Sequence, residues 1–154
     1  MRPCGAPAAV PFNYMALNDT AASYNANWLG LTEAVSYRYV WKYTDANGAV
    51  SYGAVSDARR ITNTAAGLRA VEMYITIPLD IYNLSDISRF SCEIYRTLST
   101  LPSINGIAVD PGDEMFLVSE IKPTSAETTI GYMYFIDIID PAALQGPLHT
   151  NETQ

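Results

Sequence analysis

A chain of 154 residues is sized for one domain, and it can bury roughly 68–70% of its unfolded surface without disulfide or metal staples. Sixteen acidic residues against nine basic ones leave a net charge of −7. That balance excludes a nucleic-acid-binding surface, which needs concentrated basic charge, and it opposes docking on anionic membranes.

The N-terminal stretch 1–33 reads as an extended arm. Pro3, Pro7 and Pro11 favour extended backbone, Asn13, Asn18, Asp19, Asn25 and Asn27 suggest turns, and Trp28, Leu29 and Leu31 can pin the arm to the body. The stretch is long for a loop, so either part of it is a strand or another subunit orders it. It has no continuous apolar core and carries three prolines, which is not the pattern of a signal peptide. No apolar run approaches the roughly 20 residues of a membrane-spanning helix.

The sandwich domain is expected over 34–140. Within it, Tyr37, Tyr39, Trp41 and Tyr43 fall at every second position, separated by Arg38, Val40 and Lys42. Period two with bulky side chains predicts a strand with a packed aromatic face and a mostly wet opposite face. Asp45-Ala-Asn-Gly48 supplies a tight turn, and 49–61 returns. Over 70–78, Val71, Met73, Ile75 and Ile77 face one way and Glu72, Tyr74 and Thr76 the other, until Pro78 stops the ladder. Residues 80–89 are either a short helical turn or a loop. Residues 90–97 form a strand with Phe90, Cys92 and Ile94 on one side, followed by a long loop over 98–113. Residues 114–121 and 131–139 are further strands, joined by Lys122–Glu127, and 141–154 is a polar tail. Six or seven short alternating strands, without a convincing helix, predict an all-β antiparallel sandwich.

The chemical inventory is thin. His149 is the only histidine and lies in the terminal segment. One histidine and two separated cysteines, Cys4 and Cys92, do not make a closed zinc site, and no Gly-x-Ser-x-Gly elbow is present. Cys92 reads as a small core residue, with a Cys4–Cys92 disulfide as the alternative. Asp110, Asp113 and Glu114 read as a turn, with a calcium site or glycosidic acid–base pair as the competing readings; Asp137 and Asp140 form a second carboxylate pair. No catalytic residue, cofactor site or metal site is assigned. The eleven tyrosines suit half-buried strand faces. Tyr14, Tyr24 and Trp28, in loop-like sequence, are candidate contact residues together with His149. They serve either packing and subunit interfaces or a carbohydrate platform.

Two segments carry a resemblance. Ser36 to Ser56 is similar to the last two strands of a fibronectin type III module, and Glu93-Ile-Tyr-Arg-Thr97 resembles its middle strand. They occur here in shifted order, a permutation that a sandwich tolerates when its ends lie close together. The same ordered set resembles a segment of the tail nozzle proteins (tail tubular protein B-like) of short-tailed bacteriophages. Matching parts are the Asp45-Ala-Asn-Gly48 hairpin, Glu93 to Thr97 and Asp113 to Glu120, with Arg2 to Pro7 as lead-in and Leu148 to Gln154 as exit. Nozzle proteins are several times longer and carry a β-propeller-like body, so the resemblance implies a fragment, a separate segment or a shorter relative. It also implies a non-enzymatic virion protein, assembled in the host cytoplasm and placed in the tail. Its partners would be other tail subunits in a homo-oligomeric ring, with adaptor or fibre proteins as further neighbours. The alternative is a fibronectin-like adhesion or carbohydrate-binding module of a surface or secreted protein.

Overall fold

The structure is a computed structural model that describes residues 6–18, 27–64, 67–78, 87–100, 109–139, 143, 144 and 146. Among the described residues, eight strands build two antiparallel sheets. They are β1 (Tyr14–Asn18), β2 (Ala34–Thr44), β3 (Val50–Tyr52), β4 (Arg59–Thr62), β5 (Ala70–Thr76), β6 (Phe90–Thr97), β7 (Met115–Ile121) and β8 (Tyr132–Asp137). One sheet has the order β1-β5-β8. The other has the order β3-β2-β6-β7, with β4 also on β2. The chain is an all-β sandwich.

The core lies between the sheets and follows the period-two pattern. Tyr37, Tyr39 and Trp41 of β2 and Phe90, Cys92 and Ile94 of β6 meet Val71, Met73, Ile75 and Met133 from the other sheet, with Ile77 just beyond β5. Tyr43 is half-buried against Phe90, with ring centroids 4.9 Å apart. Cys92 is a buried free thiol; Cys4, its partner in the alternative disulfide, lies outside the described residues.

Three features differ from the expected layout. First, the return from the hairpin is not one strand. From Tyr37↔Arg59 to Lys42↔Tyr52, five steps along β2 face seven steps along the return, so two extra residues bulge out. The bulge keeps contact with β2, since Gly53 N donates to Trp41 O and Ser56 N to Tyr39 O, each at 3.0 Å. Second, the outer face of β2 is not simply wet. Val40 is buried with Tyr95 and Met115, and Val55 from the bulged segment packs on them. Third, a short helix α1 (Ser125–Ile130) occupies the connection before β8. Its six residues are too few to show helical periodicity in sequence. Thr124 and Glu127 cap it reciprocally, and Gly131 ends it in the left-handed region.

Parts of both flanks lie on the sandwich. Within 1–33, β1 is a strand of the three-stranded sheet, and Phe12 and Met15 belong to the core. Ala9 N donates to Ala54 O at 2.9 Å, and Pro7 is buried. At the other end Leu144 packs against the core, and Gly146 O accepts from Leu117 N at 2.9 Å.

Candidate interaction surface

The outward face of the three-stranded sheet carries the most distinctive side chains. Alternation along β5 turns Glu72, Tyr74 and Thr76 away from the core, as Met73 and Ile75 turn into it. The register places Tyr14 of β1, Tyr74 of β5 and Tyr134 of β8 in one cross-strand row, with Tyr132 opposite Thr76. Ring centroids are 5.1 Å apart for Tyr14–Tyr74, 4.7 Å for Tyr74–Tyr132 and 5.6 Å for Tyr74–Tyr134. Tyr14 remains 39% exposed and Tyr134 47%. Glu72 ties the row together. Its carboxylate accepts from the hydroxyl of Tyr14 at 3.1 Å and that of Tyr134 at 3.2 Å, and from Asn18 Nδ2. The hydrogen bond to Glu72, then burial and the carboxylate charge, raise the Tyr14 phenol above its ordinary pKa; burial and then Glu72 raise that of Tyr134.

A second polar group sits on the outer face of the five-stranded sheet, and it is closed on itself. Lys42 Nζ lies 3.6 Å from Glu93 and 3.4 Å from Glu120. Glu93 also accepts from Tyr95 at 2.7 Å and Tyr52 at 3.3 Å, and Glu120 from Ser91 at 2.6 Å. The Ser91 hydrogen bond leads the lowering of the Glu120 pKa, against burial and with help from Lys42. Burial pulls Lys42 down, but Glu120, Tyr52 and Glu93 outweigh it and raise it.

A third group is fully buried between the sheets. Arg96 of β6 pairs with Asp137 of β8 through Nη1, and the Tyr37 hydroxyl donates to the same Asp137 oxygen. Arg96 Nη2 donates to Ile139 O at 2.7 Å. Trp28 covers the guanidinium, with Arg96 Cζ 3.7 Å from its ring centre, and donates its Nε1–H to Asp137 O at 2.8 Å. Burial first, then the Asp137 charge, push the Tyr37 phenol well above its ordinary pKa.

The four candidate contact residues therefore part company. Tyr14 stands on the tyrosine face. Trp28 is half-buried over Arg96 and serves packing in this chain. Tyr24 and His149 lie outside the described residues. Tyr74, Tyr132, Tyr134 and Glu72 were not singled out from sequence. Alternation with Met73 and Met133 marks their outward side, but nothing local says that β5 separates β1 from β8. Asp137 turns out to be an ion-pair partner of Arg96; Asp140 lies outside the described residues. Asp110 accepts from Gly112 N at 2.9 Å, as a turn requires. Among the described residues, no group of three or more His, Cys, Asp or Glu side chains is placed to hold a metal ion, and no helix is long and apolar enough to cross a membrane.

Compared with known proteins, the chain matches no family model, no curated protein and no solved structure.

Proposed function

We propose that this chain is the sandwich domain of a structural virion protein, a fibronectin type III-like segment of the nozzle-type tail proteins of short-tailed bacteriophages. On this reading it acts through subunit contacts, in a homo-oligomeric ring beside adaptor or fibre proteins, and not through catalysis. The resemblance of the hairpin and of Glu93 to Thr97 motivates the family. The observation that supports a contact role is the tyrosine row: large rings on a sheet face, with Tyr14 and Tyr134 still 39% and 47% exposed within one chain. Tyrosine is favoured at protein interfaces because its ring packs and its hydroxyl can stay hydrated. Electron microscopy of particles from the chain's natural context should find it in a ring or tail-associated density. Material that shows no such assembly would end the reading.

The same rings favour a second reading, a carbohydrate-binding module, because flat exposed rings also stack on sugar faces. A glycan array should then give hits that vanish with Tyr134→Ala. An array without hits removes this reading.

A further inference from the structure

Among the described residues, the tyrosine face bears a negative charge with no cation paired to it. Glu72 receives three hydrogen bonds, from Tyr14, Asn18 and Tyr134, all from neutral donors. Among the described residues the ion pairs join Lys42 to Glu93 and Glu120, and Arg96 to Asp137; none reaches Glu72. The contrast with Glu93 and Glu120, each within 4 Å of Lys42, is direct. An ionised carboxylate offers about four acceptor positions, so one remains beside the three in use. The hydroxyls of Tyr14 and Tyr134 donate their O–H to Glu72, and their oxygens keep lone pairs that can accept. The rings add the negative faces of their π-systems. Carboxylate, phenol oxygens and ring faces all present the same sign, and the whole chain is acidic at −7.

We propose that this face is a docking site for an arginine side chain of a partner protein, with the guanidinium stacked on the Tyr134 or Tyr14 ring and an N–H donated to Glu72. Arginine fits better than lysine because a planar guanidinium can stack on a ring and hydrogen-bond at its edge at the same time. Long-range attraction by the acidic chain would speed encounter with a basic segment. The inference deepens the contact role proposed above by naming the partner's chemistry, and it rests on that role.

The test is an NMR titration of the full chain, following tyrosine ring signals, with the peptide acetyl-Gly-Arg-Gly-amide as probe. Saturable shifts at Tyr14, Tyr74 and Tyr134 that weaken with added salt are expected, with smaller shifts from the lysine peptide. Glu72→Gln keeps the shape and hydrogen bonding of the side chain but removes its charge, and should weaken binding by about fivefold or more. Tyr134→Leu should also weaken it, while unchanged Met133 methyl signals confirm an intact core. No tyrosine shift, equal affinity in Glu72→Gln, or shifts caused by maltohexaose and not by the arginine peptide would each overturn the proposal. The two readings fail separately. A chain that binds the peptide through Glu72 but joins no tail assembly keeps this site and loses the tail role. A tail assembly that forms equally well with Glu72→Gln, from a chain deaf to the peptide, keeps the role and loses the site.

Discussion

Asp137 and Arg96 are each fully buried and reach one another from opposite sheets, so removing either charge strands the other in a poorly solvating interior. Asp137→Asn should therefore cost about 3–5 kcal/mol in urea unfolding at neutral pH. Alkaline pH acts on neighbouring groups. Burial raises Tyr37, Tyr39 and Tyr95 above the ordinary value of 10.0, and burial raises the Cys92 thiol above 9.0. In each case the native state holds a proton that the unfolded chain releases first. Their stabilising contribution is complete below the unfolded pKa and is lost as pH rises toward the native one. Stability should begin to fall near pH 9 and steepen above 10, by about 1.4 kcal/mol per pH unit for each group involved. Urea midpoints measured across this range check it, and Tyr37→Phe should flatten the slope by one group's share.

Among the elements, the bulged return of β2 is where the N-terminal segment is seated. A Cβ on Gly53 would stand 1.8 Å from Pro7 O and 2.6 Å from Pro7 C, both backbone atoms. Glycine is needed there for close approach, since any side chain must push the segment away. Gly53→Ala should cost about 1–3 kcal/mol, comparable to overpacking a core, and should expose the Ala9 amide to rapid hydrogen exchange. The strands themselves were largely legible. The alternating faces of Tyr37, Tyr39 and Trp41, and of Val71, Met73 and Ile75, are the observed core faces. The bulge was not, because its two extra residues leave no mark in a loop already rich in small residues. Nor was the inward Arg96. Period two puts it on the side of Cys92 and Ile94, but a charge is tolerated there only because Asp137 arrives from a strand whose position no local pattern reveals. The tyrosine row was hidden for the same reason: each ring's side was readable, their adjacency was not.

At the scale of the whole molecule, the two sheets are assembled very differently. β2, β3 and β4 are sequence neighbours, whereas Tyr14, Tyr74 and Tyr134 come from widely separated parts of the chain to lie side by side. Such pairings demand large loop closures before they return any stabilisation, so refolding should fall in the millisecond-to-second range of other sandwiches when followed by tryptophan fluorescence. The order of strands also matters while the protein is being made. Asp137 follows Arg96 by 41 residues, which at roughly 5–20 residues per second leaves the guanidinium unpaired for about 2–8 s. During that interval β1 and β5 are already made, but the second sheet that covers Phe90, Cys92 and Ile94 on the inner face of β6 still lacks its β8 strand. A positive charge at the end of that apolar row would oppose wrong pairing on the nascent chain, as flanking charges do beside apolar strands. The triple substitution Tyr37→Phe, Arg96→Met and Asp137→Leu, which also removes the hydroxyl that donates to Asp137, should then stay close to the parent in urea unfolding and yet leave more of the newly synthesised protein in the insoluble fraction.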